Sequence, residues 1–184
     1  MREPLVLASR SPQRRAILEQ LGVDFRVTPA DVEEETSGDP RRLVVENALR
    51  KARAVEGERV LGADTDVVLD GHVFGKPADE DGAATLLRRL SGRTHEVWSG
   101  IALISGGAER VATAVTRVRF RRLEEPELRW YLRSGEWGDR AGGYAIQGRG
   151  AALVESIDGD FWNVVGLPLA ELLRLAPDLA RDGT

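Results

Sequence analysis

A chain of 184 residues, 42% of them hydrophobic, is long enough to bury a substantial core and reads as a single domain over 1–184 with room for two lobes. A formal net charge of −4 argues against a broad basic face for polymeric nucleic acid, but leaves a local site for a small anion open. The absence of cysteine removes disulfides, thiolate metal sites and cysteine nucleophiles, and with no signal-like N-terminus and no long apolar run the expectation is a cytoplasmic protein without a membrane partner.

The apolar run "LVLAS" (5–9) suits a buried strand. "SPQRRAILEQLG" predicts a helix with Ser11 as N-cap, Pro12 at its first position and Gly22 past its end. Asp39-Pro40 repeats the signal and predicts a helix running to about Glu56. "RVLGADTDVVLDGHVFGKP" reads as a strand and hairpin turning at Asp70-Gly71. Residues 79–91 predict a helix with Ala83, Leu86, Leu87 and Leu90 on one face. "THEVWSGIALIS" and "ERVATAVTRVRF" predict two strands joined across Gly106-Gly107, followed by a shorter helix over about 125–134. Beyond the glycine-dense "GDRAGGYAIQGRG" come a strand "AALVES", a turn at Asp158-Gly159, a last helix from Pro168 and a fraying tail "DLARDGT". Helices and strands alternate without a regular βαβ rhythm, which points to an α/β fold on a mixed sheet.

Of 26 basic side chains, 24 are arginine; the two lysines are Lys51 and Lys76. On a helical wheel Lys51 shares a narrow sector with Val44, Ala48 and Val55, whereas Arg42, Arg50 and Arg53 project elsewhere. A cation on an apolar stripe either snorkels to its edge or faces a partner in a cleft. Lys76 lies in "GKP", between the hairpin and the next helix. A narrow pocket for a phosphate oxygen would prefer the compact ammonium to the wide guanidinium fork, although two lysines must fall somewhere in any case.

Arg10, Arg14 and Arg15 crowd the start of the first helix, where the dipole already places positive charge. An anion docked there with Ser9 or Ser11 would explain them; so would arginines curling away to carboxylates such as Glu19. No phosphate-binding G-x-x-x-x-G-K-[ST] is present, and "GGYAIQGRG" lacks the spacing of a dinucleotide fingerprint. Asp64 ends an apolar strand run and shares a face with Asp66. With an acid from "DVEEE" (31–35) it would supply hard oxygen ligands for a divalent cation, though an acidic loop is ordinarily just solvated. His72 and His95 are given no catalytic part.

Taken together and in order, "LASRSPQRRAIL", "DVEEE", "ENALRKA", "GADT", "GKP", "LSGRTHEVWSG", "GDRAGGYAIQGRG" and "GDFWNVVGLP" resemble the Maf-like nucleoside triphosphate pyrophosphatases over nearly the whole chain. The resemblance implies hydrolysis of a nucleoside triphosphate to monophosphate and pyrophosphate with Mg²⁺ or Mn²⁺. It also implies a two-lobed fold with a central twisted mixed sheet flanked by helices, an interlobe cleft, and often a homodimer. By the same resemblance Asp64 matches the proton acceptor, Lys51 and Lys76 the lysines around the phosphates, and Ser9 and Arg14 the phosphate contacts. Glu34, more than its neighbour Glu33, matches the motif acid that helps hold metal or water, which makes Glu34 and Asp64 the metal ligands the resemblance implies. Thr65 and Gln147 match positions linked to base choice, and "ADT" with "IQG" look like the dTTP/UTP-preferring branch. One departure stands out: the first motif commonly reads S-P-R-R, and Gln13 replaces its first arginine at a position also associated with substrate choice. The alternatives are a non-catalytic nucleotide-binding regulator and a nucleotidyltransferase using the same cleft.

Overall fold

The computed structural model describes residues 4–180. Seven strands form one mixed sheet in the order β2-β1-β3-β5-β6-β7, with β4 paired to β3 as well. They are β1 (Leu5–Leu7), β2 (Phe25–Val27), β3 (Arg59–Leu69), β4 (His72–Phe74), β5 (Thr94–Ser105), β6 (Ala108–Phe120) and β7 (Val154–Asp158). β1 runs parallel to β2 and β3; the remaining pairs are antiparallel. The expected α/β class with a mixed sheet flanked by helices is what the molecule has.

The helices are α1 (Pro12–Gln20), α2 (Pro40–Arg53), α3 (Glu80–Leu90), α4 (Glu125–Leu132), α5 (Phe161–Val165) and α6 (Leu169–Leu175). Ser11 caps α1 and Asp39 caps α2, each followed by proline, as their sequences predict. α2 stops at Arg53, three residues short of the expected end, and Val55 then turns into the core before β3 begins. "AALVES" is strand only from Val154; Arg149–Leu153 coil into a 3-10 turn. The tail is ordered further than expected: Leu179 is buried and Asp178 takes two hydrogen bonds from Arg59, at 2.6 and 2.9 Å. The rest of the predicted tail, 181–184, lies outside the described residues.

Two bodies of core flank the long strands. In one lobe Leu61, Ala63, Ile101 and Leu103 pack against α1 and α6, while Val6, Val60 and Ala102 pack against α2 on the opposite face. In the other, Val67, Val97, Val118 and Phe120 pack against α3 and α4. β3 and β5 run through both lobes. Along one edge of β3, β1 pairs as far as Leu61 and β4 starts at Val67. The stretch between them, which carries Asp64, Thr65 and Asp66, faces the cleft rather than a neighbouring strand on that edge.

α2 lies unusually close to the sheet because two glycines beneath it have no side chain. A Cβ on Gly62 would fall 2.1 Å from the Ala48 carbonyl oxygen, and one on Gly100 would fall 2.3 Å from that of Val44. This contact brings the α2 face carrying Asn47 and Lys51 down onto Asp64.

Candidate active site

Lys51 is buried with the apolar stripe of α2, as its helical phase predicts, and its ammonium is paired rather than wet. Nζ donates to Asp64 Oδ1 at 2.6 Å and lies 3.0 Å from Glu34 Oε1. Asn47, one turn earlier, donates from Nδ2 to Asp64 Oδ2 at 3.0 Å. Its amide also takes the Glu35 N–H at 2.8 Å and donates to the Glu35 carbonyl at 2.9 Å, which pins the acidic segment over the helix. The spacing of Asn47 and Lys51 is one helical turn, a signal present in the sequence but not read from it. Glu33 contributes only its carbonyl, 3.4 Å from Arg50, so Glu34 is the acid of this pair that reaches the site.

The three arginines at the start of α1 part ways. Arg15 ion-pairs with Glu19 at 2.7 Å and Arg10 leans toward Asp31, so both follow the ordinary alternative. Arg14 alone of the three turns inward. Nε donates to the Gly166 carbonyl at 2.8 Å, Nη1 to Ser9 Oγ at 3.2 Å and Nη2 to Thr65 Oγ1 at 3.1 Å. Burial pulls its pKa down, while Asp64, Glu34, Asp139 and Asp66 oppose that pull. Thr65 Oγ1 also shares a 2.8 Å hydrogen bond with Ser99.

Asp66 sits two residues beyond Asp64 in the same cleft. Burial, and then the neighbouring Asp64 carboxylate, push its carboxyl up to about 7. Near neutrality it therefore adds less than a full negative charge to a place where an anion would have to enter. Lys76 reaches the cleft from the opposite lobe and ion-pairs with Asp139, with both side chains mostly in water.

Two cavities meet here and share Arg14, Thr65, Lys76 and Ala141 as walls. One is lined by charged groups, Glu34, Lys51, Asp64 and Asp66. The other has apolar walls from Val67, Val97 and Val164 with Gln13, Arg140 and Gln147 among them. A polar cavity opening into a partly apolar one suits a ligand with a charged tail and a flat ring. Lys51, Asp64, Arg14, Glu34, Thr65, Lys76, Gln13 and Gln147 thus all come to one cleft, and Ser9 stands behind it, its hydroxyl accepting from Arg14. His72 does not reach it. His95 is buried in the second lobe, accepting or donating at 2.9 Å with Tyr144.

No three or more His, Cys, Asp or Glu side chains gather as a metal cage among the described residues. Mg²⁺ usually needs only one or two carboxylates, with waters and phosphate oxygens completing its shell. Glu34 and Asp64, both drawn to the same ammonium, have the hard oxygens such an ion takes. No helix among the described residues is long and apolar enough to cross a membrane.

The family model described as Maf-like protein matches residues 4–179. The dTTP/UTP pyrophosphatase of Symbiobacterium thermophilum is 50% identical over 179 residues, covering 94% of this chain and 92% of its own. That of Thermococcus onnurineus is 49% identical over 176 residues, covering 93% and 95%, and that of Dictyoglomus turgidum 46% identical over 184 residues, covering 95% of each. Among solved structures, the Staphylococcus aureus Ham1 protein overlays 64% of this chain and 71% of its own at a TM-score of 0.46 and 16% identity, too partial a likeness to bear on function.

Proposed function

Because the chain belongs to the Maf-like family, we propose that it is a nucleoside triphosphate pyrophosphatase acting on dTTP and UTP, as its curated relatives are named. The observation that carries the reading is Lys51, a buried ammonium between Asp64 and Glu34 in the charged cavity, which shares walls with the apolar-walled one. The reading extends to one Maf-like domain over the whole chain, working in the cytoplasm as a homodimer.

The triphosphate tail lies along Arg14, Lys51 and Lys76, with Ser9 adding a hydroxyl, and the base enters the cavity bearing Thr65, Gln13 and Gln147. Glu34 and Asp64 would hold Mg²⁺ or Mn²⁺, which when bound neutralises charge developing on the phosphate oxygens. Asp64 takes the proton of a water whose oxygen bonds to the α-phosphorus; the α–β anhydride bond breaks and pyrophosphate leaves. Lys51 and Asn47 each occupy one oxygen of Asp64, and a carboxylate oxygen still has a lone pair for that water. Gln147 both donates and accepts, which suits the O4 and N3–H edge of a pyrimidine.

The test is incubation with Mg²⁺ and each triphosphate in turn, identifying both halves of the product. Monophosphate with pyrophosphate from dTTP and UTP is expected. Tight binding without pyrophosphate would point to a regulator, and pyrophosphate released only on adding an acceptor to a nucleotidyltransferase.

A further inference from the structure

We propose that Arg140, locked to Gln13, is the fixed donor that admits a base carrying a carbonyl oxygen and rejects one carrying an amino group at the same edge, a specificity-determining part that rests on the nucleotide reading above. Gln147 is exposed, and its amide makes no hydrogen bond among the described residues. A free amide turns over at little cost. One way it donates to O4 and accepts from N3–H of uracil; the other way it accepts from the amino group and donates to N3 of cytosine. By itself, then, Gln147 accepts both bases.

Gln13 is not free in this way. Its amide is bracketed by Ser11 and Arg140. In the orientation that satisfies both neighbours, its nitrogen donates to Ser11 Oγ at 2.8 Å and its oxygen accepts from Arg140 Nη1 and Nη2 at 2.8 and 3.0 Å. The opposite orientation sets an NH₂ against a guanidinium that can only donate. Arg140 is itself held, with Nε donating to the Glu136 carbonyl at 2.8 Å. The loop carrying it is tied across the cleft by Asp139 to Lys76 and by Gly142 N–H to the Gly75 carbonyl at 3.3 Å.

The carbonyl of Gln13 is therefore consumed, and only N–H groups of Gln13 and Arg140 remain to face a ligand in this cavity. These donors match the O4 of uracil or thymine, while the Asp139 carboxylate that lines the same cavity is engaged by Lys76. Against the amino group of cytosine they leave donors facing donors, and such mismatches in fixed polar sites carry large discrimination.

The test is kcat/KM for UTP and CTP in the wild type, R140K and R140M. Met keeps much of the stem, removes the donors and releases the Gln13 amide to turn. The wild type is expected to favour UTP, R140K to keep most of that preference, and R140M to lose roughly 10-fold or more of the UTP:CTP ratio. R140Q, measured in the same way, serves should R140M fail to fold by circular dichroism. A wild type indifferent to the two bases, or variants that slow both substrates equally, overturn the proposal and leave Arg140 as a charge for the phosphates. An enzyme that releases no pyrophosphate from any triphosphate sinks the earlier reading and this one together; an unchanged ratio in an active enzyme sinks this one alone.

Discussion

Lys51 Nζ and Asp64 Oδ1 lie 2.6 Å apart, with the two side chains 10% and 8% exposed. Such a pair is asymmetric to mutation, since removing one partner strands the other. K51M leaves the Asp64 carboxylate with Asn47 as its remaining side-chain partner, and should cost about 3 kcal/mol in urea unfolding. D64N should cost clearly less, because Glu34 still meets the ammonium at 3.0 Å, yet turnover should fall by about 100-fold or more. The K51M/D64N double variant should recover stability relative to K51M while staying inactive. Equal stability losses in the two single variants would mean that Glu34 does not hold the lysine.

Lys76 and Asp139 make the opposite case, at 61% and 63% exposure. Exposed pairs contribute little to folding. K76M and D139N should each leave Tm within about 2 °C of the wild type. K76M should nevertheless cut kcat/KM by about 10-fold or more, whereas D139N, which releases the lysine for phosphate, should not raise KM. A melting loss in K76M as large as that of K51M would show the pair to be structural instead.

The seat of α2 on Gly100 predicts a coupled defect. G100A places a methyl 2.3 Å from the Val44 carbonyl, which is backbone and can retreat only if the helix moves. The loss should be about 2 kcal/mol or more. Activity should fall beyond the unfolded fraction, because Lys51 and Asn47 ride on the same helix. Wild-type kinetics in the folded fraction would uncouple the seat from the site.

His95 supplies a pH dependence remote from the cleft acids. Burial lowers its pKa from the ordinary 6.5 to about 4, and Nδ1 has no hydrogen-bond partner among the described residues. Above pH 6.5 the ring is neutral in both folded and unfolded chains and contributes no slope. As pH falls below 6.5 the unfolded state binds the proton first, so stability drops until about pH 4, by about 3 kcal/mol for the full shift. Wild-type stability measured from pH 7 to 4 should show this added slope relative to H95Q. Parallel curves would remove His95 as its source.

Some parts of this molecule were open to reading from residues alone, and the reasons differ. Lys51 betrayed itself because one cation interrupted an apolar helical stripe, a signal that survives without coordinates. Arg14 carried a similar signal that was not read: it precedes Ile17 and Leu18 by three and four residues on the buried face of α1, whereas Arg15 falls off that face, and the Gly166 carbonyl from the far end of the chain then takes its Nε. β2 and α5 are three and five residues long, too short for a periodicity to emerge. "AALVES" has the apolar character of a strand throughout. Its start coils instead, and there Gly150 packs so closely on Ala145 that a Cβ would meet the carbonyl at 2.5 Å. Arg140 carries no mark in the sequence at all, since its contact with Gln13 joins residues far apart in the chain.

β3 and β5 pass without interruption from one hydrophobic core to the other, and their ladder is continuous from Arg59↔Ser105 to Val68↔Glu96. A hinge needs backbone that can swing without breaking hydrogen bonds, and this ladder offers none. Accommodation of different ligands therefore falls to rotation of side chains on the rim. The mouth can adjust while the distance from the strand-borne aspartate to the helix-borne lysine stays the same from one guest to the next.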